Sequence, residues 1–218
     1  ILESTIGLQG IFLITALFGA AGMLCVWKII PNPKISRFHA DSGSSKHWLP
    51  IVLKNPQLLR LNFGVFALHS TLTTAFIAIP IIQMQTLHLS HQQMGLFYLA
   101  MLSISLIVMV PCIIYAEKYH QLKRVFCSAI ALLLISQIAC LWLTPNNTHL
   151  FIFLTLFFIG FNILEATLPS LISKIAPSAA KGTAMGVYNT MQSLGLFLGG
   201  AIGGWIYEQS KNGAQSIF

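Results

Sequence analysis

An all-α bundle of membrane-spanning helices is the fold this sequence predicts, and three observations carry that reading. Of 218 residues, 56% are hydrophobic and only 8% charged, with a mean hydropathy of +0.77; ordinary soluble domains carry roughly a quarter charged residues. The charges are also clustered, because none occurs in 4–27, 61–116 or 182–207. A helix needs about 20 apolar residues to cross a bilayer. Finally, the apolar runs lack the two-residue alternation of strands. A β-barrel, whose strands are about ten residues long with a polar lumen face, is set aside.

The long gap 61–116 is broken near its middle by the polar run Thr86-Leu-His-Leu-Ser-His-Gln-Gln93, so it reads as two spans and a turn. The same test along the chain predicts six spans, at 6–28, 59–84, 93–116, 124–144, 149–173 and 183–207. All are expected to be helical, since lipid cannot satisfy an open backbone. Between the first two lies the longest polar segment, Pro31 to Lys46, rich in Pro, Gly and Ser and read as a linker. The expected organisation is a helix at 1–30 that ends one bundle, a cytoplasmic interdomain linker at 31–58, and an incomplete C-terminal transmembrane bundle at 59–218. The other loops are short, which predicts antiparallel neighbours.

Lys and Arg set the orientation. Of the twelve basic residues, all but Lys211 fall in the 28–60 segment, at Lys118, Lys123 and Arg124, or at Lys174 and Lys181, so one face is cytoplasmic. The net charge of +7 is thereby explained by topology and not by nucleic-acid binding, which would need a soluble basic surface. The N-terminus is expected outside. A chain opening Ile1-Leu-Glu with no Met and no signal-peptide n-region reads as part of something longer.

Catalytic and metal-binding signatures do not appear. Cys25, Cys112, Cys127 and Cys140 have no paired spacing. No His-Glu-x-x-His, Gly-x-Ser-x-Gly, phosphate loop or dinucleotide fingerprint occurs. The sequence therefore suggests neither an enzyme nor a metal or organic cofactor. Six histidines fall in loops or at interfaces. Only His69 and Glu165 bring an imidazole and a carboxyl well inside spans, too few groups for a hydrolytic site.

Glycines mark the last span. Gly195, Gly199 and Gly203 recur every fourth residue, with Gly200 and Gly204 beside them, a groove that admits another helix at close range. Tyr188 and Gln192 fall on nearly the same face. The groove is expected to serve tight helix packing, and could also serve a sliding contact with an absent partner bundle.

At this point the chain resembles the major facilitator superfamily of secondary transporters. The loop Tyr115-Ala-Glu-Lys-Tyr-His-Gln-Leu-Lys-Arg124 is similar to the second, degenerate copy of its acidic-then-basic cytoplasmic signature. Glu117 stands at the acidic position and Lys123 and Arg124 at the basic ones. Phe161-Asn-Ile-Leu-Glu-Ala-Thr-Leu-Pro-Ser-Leu-Ile-Ser-Lys174 with Lys181-Gly-Thr-Ala-Met-Gly-Val-Tyr188 resembles the YajR-type inner-membrane efflux branch. The resemblance implies the sixth to eleventh helices of a twelve-helix carrier of the bacterial inner membrane. It implies that two bundles rock about a mid-membrane site, and that transport needs the missing N-terminal half of the chain.

Polar stripes then suggest the path. In the second span, His69 and Thr73 fall within about 20° of Asn62 on a helical projection, with Gln83 nearby; in the fifth, Thr155, Asn162, Glu165 and Ser173 form a comparable stripe. Such groups must face protein or water, and the resemblance places both helices around the central cavity. Asn62, Thr73, Asn162, Tyr188 and Gln192 are the expected cavity residues, and the aromatics Phe157, Phe158 and Phe161 are expected to face lipid or pack. Glu165 is the one acidic residue deep in a span. An ionised carboxylate there is costly unless paired, hydrated or neutralised, which suits a group that takes and releases a proton, with His69 as relay partner.

The expected function is proton-coupled efflux of small amphipathic compounds by alternating access, with membrane lipid as surroundings and protons and substrate as partners. The alternatives are a uniporter or symporter of a small metabolite and an uncoupled channel-like membrane protein. The topology makes a direct prediction: cysteines placed at Ser44 and Lys123 react with impermeant thiol reagents from the cytoplasmic face only, and one at Asn147 from the outside only. Opposite labelling overturns the orientation.

Overall fold

The structure, a computed structural model, describes residues 2–30, 47–142 and 146–209. The chain forms two compact units, Ile1–Phe38 and His39–Phe218. In the first, α1 (Leu2–Ile29) is interrupted at Gly7, whose φ of 65° and ψ of 174° leave the helical region. Glycine tolerates that conformation because it has no Cβ. The stretch Gln9–Ile29 that follows is long and apolar enough to cross a membrane.

The second unit begins earlier than the sequence suggests. Residues 31–46 of the expected linker lie outside the described residues, but its last part is already helical, as α2 (Leu49–Lys54) and the start of α3 (Pro56–Ile81). Val52 and Leu58 are fully buried there. Pro50 and Pro56, within the span expected as linker, each occupy the first turn of a helix, where no amide hydrogen is needed. The Asn55 side chain caps α3, accepting from the amides of Gln57 (2.9 Å) and Leu58 (3.3 Å).

Beyond Pro80 the helix widens into a π-helical turn, Ile82–Thr86. Helix α4 (His91–Lys118) opens with a reciprocal cap between Ser90 and Gln93, so the polar run taken as a turn also contains a helix start signal. Then come α5 (Leu122–Trp142), α6 (Asn147–Ile175, capped by Asn146), a 3-10 turn at Ser178–Ala180, and α7 (Lys181–Gln209). No strand occurs among the described residues.

Helix α6 is the hub: it touches α3, α4, α5 and α7. Phe157, Phe158 and Phe161 are buried on it and pack mutually with ring centroids 5.2–6.2 Å apart, so these rings pack in the protein and do not face lipid. By contrast α4 and α5 bury few side chains and expose Leu99, Leu106, Ile107, Leu134 and Ile135, as helices facing acyl chains do. Among the described residues five helices are both long and apolar enough to span a membrane. The sixth expected span, α7, has the length but is less apolar, because it is rich in glycine and carries Asn189, Thr190, Gln192 and Ser193. One of its faces lies on α3 and has no need of lipid-soluble side chains.

The α3–α7 contact runs in parallel register. A Cβ at Gly195 would fall on the Phe66 carbonyl oxygen, one at Gly199 on the Ser70 backbone, and one at Gly203 within 3.3–3.4 Å of Thr74 and Ile77. The groove is therefore filled by α3 of the same unit and is not left open for another bundle. Hydroxyls line the seam: Ser70 Oγ donates to the Gly195 carbonyl at 3.1 Å, and Thr74 Oγ1, which donates to the Ser70 carbonyl of its own helix at 2.8 Å, also approaches that of Gly199 at 3.1 Å. Gly204, one residue past Gly203, has nothing within 4 Å of such a Cβ.

A paired substitution tests the seam. Gly199→Ala must displace the α3 backbone and should cost about 1–3 kcal/mol, whereas Gly204→Ala should gain up to about 1 kcal/mol in helix propensity. Thermal melts of the full-length protein in detergent should move in opposite directions; a common shift would remove the case for glycine-dependent approach.

Candidate functional site

Three helices bring polar side chains to one corner. His69 lies thirteen residues in from Pro56 on α3, Glu165 ten residues before Ile175 on α6, and Gln192 eleven residues after Lys181 on α7. The short turn between α6 and α7 puts those ends at one membrane face, and the parallel α3–α7 register puts Pro56 there too. At about 1.5 Å per residue, all three side chains sit some 15–20 Å deep, near the middle of a hydrocarbon core roughly 30 Å thick.

His69 Nε2 lies 3.5 Å from Glu165 Oε2. Gln192 Nε2 stands between the two groups, 2.8 Å from His69 Nε2 and 3.3 Å from Glu165 Oε1. On its other side, His69 Nδ1 meets the Val65 carbonyl oxygen at 3.0 Å, and the ring stands edge-on to Phe161 with centroids 5.7 Å apart. The His69 side chain is 5% exposed and that of Glu165 38%, with Glu165 Oε2 itself buried, so the base is enclosed while the acid's side chain is partly open. Pro169, four residues after Glu165, has no amide hydrogen to give the Glu165 carbonyl, so the α6 ladder lacks a rung where the acid is carried.

Several buried polar side-chain atoms on these three helices have no hydrogen-bond partner. Both side-chain polar atoms of Asn62, two turns before His69, are unpaired, as are the Tyr188 hydroxyl, one turn before Gln192, and Glu165 Oε2. Buried groups of this kind are costly unless something hydrogen-bonds them. The arrangement can hold a proton on an imidazole or a carboxyl, pass it between them, and offer amide and phenol contacts to a polar group.

The other residues singled out in the sequence are placed differently. Thr73 donates to the His69 carbonyl at 2.8 Å, a bond within its own helix. Asn162 turns to α4, where its amide donates to Ser105 Oγ at 2.9 Å and Ser105 in turn donates to the Leu102 carbonyl at 2.8 Å. That side chain ties α6 to α4 and does not join the corner. Glu117 pairs with Lys174 at 3.0 Å, both about half exposed, and Lys123 and Arg124 are exposed in the first turn of α5. Such an exposed pair contributes at most about 1 kcal/mol.

Ser70, Thr74, Ser105 and Phe161 were not singled out as site residues. The first two had a legible signal, a hydroxyl pair spaced by four matching the glycines spaced by four. Ser105 and Phe161 had none, because their partners are set by helix rotation. Among the described residues no three His, Cys, Asp or Glu side chains come together to hold a metal ion. Two apolar clefts elsewhere, between the starts of α4 and α6 and along α4–α5–α6, are lined by no carboxylate, imidazole or basic side chain.

Comparison with known proteins agrees with this architecture. The sequence pattern of the Major Facilitator Superfamily matches residues 1–200. The chain is 39% identical over 208 residues to the inner membrane transport protein YajR of Escherichia coli (strain K12), covering 94% of this chain and 45% of that protein. It is 33% identical over 195 residues to an uncharacterized transporter of Buchnera aphidicola subsp. Acyrthosiphon pisum, covering 88% of this chain and 50% of the relative. With the multidrug resistance protein MdtH of Blochmanniella floridana it shares 25% over 195 residues, 89% of this chain and 47% of that protein. The chain thus spans about half the length of these curated relatives.

The α4–α6 tie is open to test. A double-mutant cycle on Ser105→Ala and Asn162→Ala, read by unfolding of the full-length protein, should return a coupling of about 0.5–1.5 kcal/mol. A coupling near zero would mean that Asn162 is free to turn toward the path.

Proposed function

The chain belongs to the Major Facilitator Superfamily, and from that premise we propose that it forms most of one bundle of an inner-membrane secondary carrier that exports small amphipathic compounds in exchange for protons by alternating access. A partner bundle, the N-terminal half of the same protein, would supply the opposite wall of the path. The observation that carries the reading is the meeting of His69, Glu165 and Gln192 near mid-membrane. A carboxyl and an imidazole that converge from two helices have no structural necessity in a bilayer, where ionisable groups are expensive and mark ion and proton paths.

Support for export comes from the multidrug resistance proteins among the relatives, and support for the inner membrane from the name of the Escherichia coli relative. In this reading Glu165 is the proton carrier, because its side chain is the more exposed of the two, and enclosed His69 is its relay. Gln192 touches that pair, and Tyr188 and Asn62 lie one and two turns along α7 and α3 from it, where a polar group of the substrate could satisfy the Asn62 amide and the Tyr188 hydroxyl. No bond of the substrate is broken.

Glu165→Gln keeps the size of the side chain and removes its proton chemistry. In liposomes holding the full-length protein and a panel of amphipathic dyes, this variant should lose transport driven by an imposed pH gradient, by at least about tenfold. It should retain dye-for-dye exchange without a gradient. Gradient-driven transport at the wild-type rate would sink the proton-carrier role and leave Glu165 as a packing or substrate-contact residue.

A further inference from the structure

We infer that Gln192 is a proton-reading positioning residue: its side-chain amide bridges His69 to Glu165 while the imidazole is neutral, and gives way to a direct His69–Glu165 ion pair when the imidazole is charged. The inference rests on the proton-coupled reading of the same corner, and it assigns Gln192 a role other than substrate contact.

The geometry leaves few choices. A carbonyl oxygen only accepts, so the 3.0 Å contact between His69 Nδ1 and the Val65 carbonyl requires a hydrogen on Nδ1. Nε2 is then the nitrogen that gains or loses a proton. In the neutral ring its lone pair faces Gln192 Nε2 at 2.8 Å and accepts one amide hydrogen. The second amide hydrogen points to Glu165 Oε1 at 3.3 Å, where a carboxylate accepts it. One NH2 group thus serves a neutral base and an ionised acid at once, and both of its hydrogens are used.

Protonation of His69 at Nε2 breaks this arrangement, because two donors would then face each other at 2.8 Å. The terminal torsion of a glutamine is soft, so the NH2 group can swing away, and the new Nε2 hydrogen goes to Glu165 Oε2, already 3.5 Å away. One proton thereby exchanges the amide bridge for an ionic contact between α3 and α6.

The event occurs at the glycine seam. Gln192 lies one turn before Gly195, whose carbonyl accepts from Ser70, the residue next to His69. Other titratable groups on the surrounding elements are Tyr188, whose hydroxyl has no hydrogen-bond partner, and residues toward the helix ends: Lys54, Arg60, His149, Lys174, Lys181, Tyr207 and Glu208. None of these enters the contacts that His69, Gln192 and Glu165 make with one another.

The amide serves the neutral imidazole and the ionised carboxyl together, and its loss should leave His69 Nε2 without a donor. The test uses full-length protein labelled with ring-15N histidine, with His69 assigned through His69→Asn. In the wild type at high pH the ring should carry its hydrogen on Nδ1, and its Nε2 signal should show an accepted hydrogen bond. In Gln192→Met, which keeps side-chain length without a donor, that Nε2 signal should move to the position of a nitrogen with no donor.

Gln192→Glu guards against a Met variant that does not fold, because a carboxylate likewise has no hydrogen to donate and should remove the same Nε2 signature. The pH profile of gradient-driven dye export should change in both variants with little change in KM. An Nε2 signal unmoved in the folded variants, or a change confined to KM, would overturn the inference and return Gln192 to substrate contact. If the wild type shows no gradient-driven transport, the exporter reading falls, and the ring spectrum still decides the role of Gln192.

Discussion

The close approach of α3 and α7 is the contact on which the polar corner depends. Two helices in lipid gain nothing from hiding apolar surface from one another, because acyl chains are as apolar as leucine; they associate by packing and by hydrogen bonds across the interface. Gly195 and Gly199 bring the α7 backbone so near α3 that a single Cβ would collide with the Phe66 and Ser70 backbones. At that distance the Ser70 and Thr74 hydroxyls reach carbonyls of the other helix. The seam fixes both the register and the rotation of α7, and the rotation carries Gln192 to His69.

Helix α6 completes the corner for a different reason. It is the most enclosed helix, packed against four others and lined by Phe157, Phe158 and Phe161, so the side chains it directs inward have few alternatives. Glu165 points at His69 and Gln192, while Asn162, less than one turn earlier, points at Ser105 on α4. Two polar residues on one helix therefore do different work: one holds the helix in place, and the other meets a titratable partner. The missing rung at Pro169 softens α6 beside the acid.

These features bear on how a family of carriers can vary its cargo while keeping its mechanics. The outward faces of α4 and α5 are apolar, and near the end of α4 Glu117 forms an exposed pair with Lys174 of α6. The contact between His69, Glu165 and Gln192 lies at the junction of α3, α6 and α7. The relatives named as transporters and multidrug resistance proteins match this chain over about half their own length, and the cavity of a whole carrier has walls beyond this junction.

The sequence by itself determined the class of the molecule and its groups of interest. Charge-free stretches longer than a bilayer is thick admit only helices, and a four-residue glycine period, a lone buried acid and a lone buried histidine are legible because each is rare in an apolar run. Local signals also carried most helix starts, although Pro56 and Asn55 look alike in a linker and in a cap. What only the tertiary structure decided is which of the polar residues meet. Helical projection gives each residue an angle on its own helix, and the relative rotation and depth of neighbouring helices come from packing between residues more than a hundred positions apart, as with Ser70 and Gly195. Hence Asn162 and Glu165, which share a stripe in projection, part company in space, and His69, Glu165 and Gln192, which lie on three different helices, come within 3.5 Å of one another.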